Sequence, residues 1–172
     1  MNNPAEFSIP KDRVRVTLRL RSDADINGDV FLEHLPGERA LYQKVAALLE
    51  NEYAFLPVLE EGSGQMQFVN KRSIKAVEFT GHDEQAEQSE EFRLLHVEHI
   101  EAVFIDGDSM QGALAADVPA QKARLSDCLN LRERFLCMKR GGSIWFVNKE
   151  SIQQVRYADA PSAGTGTEER SR

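Results

Sequence analysis

The strongest constraint on what this chain can fold into is that it repeats itself. Phe68-Val69-Asn70-Lys71-Arg72-Ser73-Ile74 returns as Phe146-Val147-Asn148-Lys149-Glu150-Ser151-Ile152. Each Ile is followed by a valine, Val77 or Val155, and then by an aromatic, Phe79 or Tyr157. Upstream, Phe55-Leu56-Pro57-Val58 aligns with Phe135-Leu136-Cys137-Met138, and a glycine turn follows each, Gly62-Ser63-Gly64 or Gly141-Gly142-Ser143. Val16 precedes Gly28 by the interval that separates Ile100 from Gly112. So many matches in one order indicate a tandem duplication over residues 12–80 and 92–158. A period of roughly 80 residues exceeds that of solenoid repeats, so each copy is expected to be a small domain.

Within each copy the pattern is mainly strand. Val14, Val16, Leu18 and Leu20 alternate with Arg13, Arg15, Thr17, Arg19 and Arg21, the period of a half-buried strand. Asp25-Ile26-Asn27-Gly28 reads as a turn in which glycine supplies a positive φ. Further strands are expected over 29–33, 54–60, 66–70 and 73–79. One segment breaks the period. Leu41, Val45, Leu48 and Leu49 fall on one face of an amphipathic helix. A shorter equivalent spans 122–131 with Leu125, Cys128 and Leu129. The expected fold class is therefore mainly β with an α+β character: two tandem five-stranded β-barrels, each with an inserted helix.

Composition narrows the setting. Of 172 residues 41% are hydrophobic and 28% charged, a foldable mixture. No apolar run is long enough to span a membrane, and residues 1–10 lack a secretory pattern. With Cys128 and Cys137 read as free thiols, the expectation is a cytoplasmic protein. The formal charge is −7, from 21 basic and 28 acidic residues. That balance disfavours a nucleic-acid binder that works by bulk charge. Residues 81–91 read as an acidic linker, and 1–11 and 159–172 as disordered ends.

The second copy carries a family resemblance. Ile100 to Gly107, followed by Gly112-Ala113-Leu114, is similar to the first motif of the Sm proteins. Asp127-Cys128-Leu129-Asn130 looks like the D-x-x-(M/L)-N that follows it, and Val147 to Ile152 looks like the second motif. Asn-Lys stands where that family has Arg-Gly, and copy one has Asp23 where copy two has Gly107. The resemblance implies a small Sm-like or SH3-like barrel in a bacterial family of tandem barrels. It also implies RNA or oligonucleotide binding by a ring-like oligomer, six modules from three chains, with Asp127, Asn130 and the Asn-Lys pairs near a base.

Each candidate has a plainer reading beside the functional one. Arg13, Arg15, Arg19 and Arg21 could contact phosphate, or form a solvated strand face paired with acidic neighbours. Asn70-Lys71 and Asn148-Lys149 could be a ligand loop or a tight turn. Asp127 and Asn130 could read a base, or Ser126 or Asp127 could cap a short helix. His96 and His99 point to opposite faces of a strand and so share no metal ion. His34 and His82 have no partner in sequence. Cys137 sits in an apolar strand as packing material, and Cys128 is expected to be the more accessible thiol. No catalytic residue, cofactor motif or metal-ligand spacing stands out. The reading left is a non-enzymatic interaction or assembly module with a protein partner and a possible homo-oligomer. Its expected surface is the helix around Leu41 and Val45 and the strand from Val103 to Ile105. Sm-like RNA binding is the alternative.

Overall fold

In the computed structural model the described residues are 12–32, 40–79, 96–119, 121 and 124–159. The expected linker and N-terminus, nearly all of the expected tail, and His34 and His82 lie outside them. The alternation in the first strand sets its orientation. Along β1 (Asp12–Leu20), Val14, Val16 and Leu18 are buried while Arg13, Arg15 and Arg19 face solvent. β2 (Asp25–Leu32) pairs antiparallel with β1 from Asp12↔Leu32 to Arg19↔Asp25. The turn expected at Asp25–Gly28 is thus strand. The chain reverses earlier, where Asp23 has φ 63°, and Gly107 holds the matching place in the second half with φ 94°. Gly28 is needed for a different reason: β3 passes close, and a Cβ there would lie 2.5 Å from the Leu59 carbonyl oxygen. Gly112 is in the same position, with its Cβ 2.8 Å from the Lys139 carbonyl oxygen.

α1 (Leu41–Glu50) follows, then β3 (Phe55–Glu60), β4 (Met66–Asn70), a 3₁₀ turn (Lys71–Ser73) and β5 (Ile74–Phe79). The second half repeats the series as β6 (His96–Phe104), β7 (Ser109–Ala116), α2 (Leu125–Leu129), β8 (Phe135–Arg140), β9 (Ser143–Asn148), a 3₁₀ turn (Lys149–Ser151) and β10 (Ile152–Tyr157). α2 is shorter than the helix expected over 122–131. Asn130, at φ −96° and ψ 12°, leaves helical geometry and ends it.

The ten strands form one sheet in the order β10-β6-β7-β8-β9-β5-β1-β2-β3-β4, every pairing antiparallel. The fold is mainly β, but the sheet is not closed into a barrel. Each half runs in the order fifth, first, second, third, fourth strand. The free side of β5 then pairs with β9 of the other half rather than with β4 of its own, which leaves the sheet open. Two cores result. One gathers Val16, Leu18, Val30, Leu49 and Leu56 with Phe135, Ile144 and Phe146 of the second half. The other gathers Ile100, Phe104, Leu114, Met138, Trp145 and Val147 with Ala76 of the first. β5 and β9 therefore have both faces covered, which suits the unbroken apolar run Ile144–Val147 of β9. Among the described residues, no helix is long and apolar enough to cross a membrane.

Candidate functional site

The junction between the halves is built in detail. β5 and β9 pair as Ala76↔Val147, Val77↔Phe146, Glu78↔Trp145 and Phe79↔Ile144. The buried amide of Asn148 donates to the carbonyls of Ile74 (2.8 Å) and Lys71 (3.4 Å) across it. At the end of α1 the Glu50 carboxylate accepts from the backbone N–H groups of Arg134 (2.8 Å) and Phe135 (2.7 Å). Arg19 stacks over the Trp145 ring at 4.7 Å, and Arg21 Nε donates to Ser151 Oγ at 2.9 Å.

A second link across the halves is Lys75. Its nearly buried ammonium binds Asp106 and Asp108 and lies 4.7 Å from the Phe104 ring centroid. Asp23 joins the two aspartates in an exposed group, so the lysine supplies the cation that these carboxylates need. Burial pulls Lys75 down, but hydrogen bonds to Asp106 and Asp108 outweigh it and its pKa is raised. The Lys75 hydrogen bond holds Asp106 below its ordinary value, against burial. The Asp106 contribution to stability is present above the ordinary carboxylate pKa and is lost as pH falls through the lowered one. The Lys75 contribution is present below the ordinary ammonium pKa and is lost as pH rises through the raised one. Lys75→Met is therefore expected to cost about 1–2 kcal/mol near neutral pH, allowing for the exposure of Asp108. The gap to wild type should narrow toward both extremes in urea melts at a series of pH values. A gap independent of pH would mean that the ion pairs carry none of it.

The two outer strands contrast with this junction. Among the described residues, β4 pairs only with β3, and β10 only with β6. By the repeat, Phe68 of β4 matches Phe146 of β9, yet Phe68 is 67% exposed and Phe146 2%. Tyr157 of β10 matches Phe79 of β5, with exposures of 70% and 2%. Met66 and Phe55 are likewise exposed where Ile144 and Phe135 are buried. Three of the large uncovered apolar side chains, Met66, Phe68 and Tyr157, thus lie on the two strands that lack a second partner among the described residues, with Phe55 beside them on β3. The sequence contains this signal as the Phe68/Phe146 match, but not which copy would be covered.

The arginine stripe is divided among internal contacts. Arg13 lies over the Phe31 ring at 5.6 Å. Arg15 bonds Asp29 on β2 at 2.7 Å and also meets Glu61; these two hydrogen bonds raise its pKa. Arg19 and Arg21 serve the junction. The recurrent Asn-Lys has the same work in both halves. Asn70 Oδ1 accepts from the Arg72 N–H and Asn148 Oδ1 from the Glu150 N–H, capping the two 3₁₀ turns. Lys71 Nζ donates to the Asn51 carbonyl and side chain beyond α1. Lys149 Nζ donates to the carbonyls of Leu129 and Leu131 at the end of α2. A cation there satisfies orphan carbonyls and suits the helix dipole. Lys71 is fully buried, and burial lowers its pKa.

Several expected sites need correction. α2 begins after Arg124 with no side-chain cap, so neither Ser126 nor Asp127 caps it; Asp127 lies exposed in the first turn. Asn130 donates back to the Ser126 carbonyl at 2.7 Å. Val45 is buried and Leu41 half-buried, because the apolar stripe seats α1 on the first core, which side chains of both halves build. β6 ends at Phe104, leaving Val103 half-buried and Ile105 exposed in the turn beyond. Cys128, expected to be accessible, is buried, whereas Cys137 packs half-buried against the first core, as its apolar strand implies.

A cleft of about 730 Å³ lies between α1 and the β7–β8 region, and Cys128, Cys137 and Glu50 are among its lining. Burial raises the Cys128 thiol, Asp127 adds to it, and burial pushes Cys137 up to about 12. Neither is a thiolate near neutrality, and no histidine lines the cleft among the described residues. His96 bonds Glu98 at 3.0 Å instead. No family model, no curated protein and no solved structure matches this chain.

Proposed function

We propose that this protein is a non-enzymatic interaction or assembly module that works through the two open edges of its sheet. One observation carries the reading: the exposed aromatic and apolar side chains Phe55, Met66, Phe68 and Tyr157 sit on or beside β4 and β10. A sheet edge presents unpaired N–H and C=O groups that template a further strand. Natural edges are usually blunted by charge or proline, but Met-Gln-Phe-Val-Asn in β4 has neither. The tandem small-barrel reading accompanies this one, each half being an open five-stranded unit that a strand from outside completes. RNA binding has weaker support, since the arginines, Lys71 and Lys149 are committed to internal partners.

The test is the native mass of the tagged full chain isolated gently from the cells that express it. A particle heavier than the chain is expected, with Phe68→Asp or Tyr157→Asp reducing the bound partner at least about tenfold, as loss of a central aromatic anchor does. A particle of the chain's own mass overturns the proposal.

A further inference from the structure

The two open edges are the two halves of a junction the chain already makes. β9 is the repeat of β4, and β10 is the repeat of β5. Within the chain, β9 pairs with β5. From this we infer that β4 of one chain pairs with β10 of a second copy, head to tail, in the register of the internal junction. The inference rests on the edge-module reading and names its partner.

The register carries over residue by residue. Ala76↔Val147, Val77↔Phe146, Glu78↔Trp145 and Phe79↔Ile144 become Gln154↔Val69, Val155↔Phe68, Arg156↔Gln67 and Tyr157↔Met66. Phe68 then faces half-buried Val155, and Met66 faces Tyr157. The transferred pairs put the exposed members, Phe68, Met66 and Tyr157, opposite one another or opposite an apolar residue. No like charges meet.

The local devices match too. Both fifth strands carry a bulge at the same place, at Lys75 against Arg19/Leu20 and at Gln153 against Phe104/Val103. A bulge often protects an edge. Here β5 pairs with β9 despite its bulge, so the same bulge leaves β10 open to pairing. Asn70 repeats Asn148. Asn148 donates across the internal junction to Ile74 and Lys71, whereas Asn70 is exposed and its amide nitrogen makes no hydrogen bond among the described residues. In the head-to-tail junction Asn70 has the carbonyls of Ile152 and Lys149 of the second copy as its counterparts. Ile105, exposed, repeats Arg21, which reaches across the internal junction to Ser151. A junction of this kind uses different patches on the two chains. It therefore propagates, closing into a ring or extending as a filament according to the angle per chain.

The test uses the purified full chain alone in sedimentation and light scattering over a concentration series. Masses at whole multiples of 19.4 kDa are expected. Phe68→Asp and Tyr157→Asp change exposed residues on opposite edges, and each alone is expected to give monomer, with a melting curve unchanged from wild type at dilutions where the wild type is itself monomeric. Mixed, they leave one β4 and one β10 intact, and the mixture is expected to stop at two chains. A monomeric wild type overturns the inference. So does association that survives both variants, or a mixture that stays monomeric. The edge-module reading is distinguished by the native particle: if that is heavier than the chain while the purified chain is monomeric, the reading stands and self-pairing falls.

Discussion

Phe146→Ala is expected to lower the unfolding free energy by about 3–5 kcal/mol, while Phe68→Ala in the dilute monomer changes it by under about 0.5 kcal/mol. The two phenylalanines hold the same place in the repeated segment, so chemistry alone does not separate them. Position does. Phe146 belongs to the second half but lies in the first half's core, opposite Val77 on one side and Cys137 on the other. Truncation there removes the ring's transfer free energy and leaves a cavity between two strands already covered on both faces. It also weakens the contact by which the halves hold one another. Phe68 has no such surroundings until another strand arrives. Urea unfolding of both variants at low protein concentration measures the difference, and equal losses would mean that the halves are stable without their junction. At concentrations where chains associate, Phe68→Ala should begin to lower the apparent stability, because binding to the folded state adds to it by mass action.

Much of the local structure was legible in the sequence. The alternation of Val14, Val16 and Leu18 against arginines places β1, and the stripe of Val45 and Leu49 places α1. The repeated Asn-Lys marks a repeated turn. What periodicity could not give is which strand lies beside which. A fifth strand can pair with the fourth strand of its own half or with that of the other. Both choices leave the same hydrophobic pattern in the sequence. The choice decides whether Phe68 is core or surface, so the open edges were invisible. The helix stripe misled for a related reason: a stripe says that α1 is covered, not by what. Lys75 gave no signal because its partners, Asp106 and Asp108, come from the turn after β6 and meet it only when the halves pair. Gly28 is legible as a constrained position, but the constraint is close approach to β3 rather than positive φ. A glycine needed for positive φ and one needed for close approach look alike in sequence.

That distinction has a measurable consequence. Gly28→Ala is expected to cost about 3 kcal/mol or more, at the upper end for overpacking. The added methyl would stand 2.5 Å from the Leu59 carbonyl oxygen and 2.8 Å from Val58 Cγ1. The first of these is backbone and has no rotamer to escape into. Relief requires β3 to move away from β2, and β2 and β3 are joined by only the two pairs Gly28↔Glu60 and Asp29↔Leu59. Val58 is fully buried, so the shift would also open the first core. Gly112→Ala should cost less, since its closest backbone atom is at 2.8 Å and the next contact, Met138 Cε at 3.2 Å, is a flexible end. Gly62→Ala is the control: nothing lies within 4 Å, and a change within about 0.5 kcal/mol is expected. Urea unfolding of the three variants should rank them in that order. If Gly28→Ala were as stable as Gly62→Ala, the close passage of β3 over β2 would be wrong. Because β3 carries β4 at the sheet's edge, displacing β3 should also weaken chain association at a given concentration, even though Phe68 and Tyr157 are untouched.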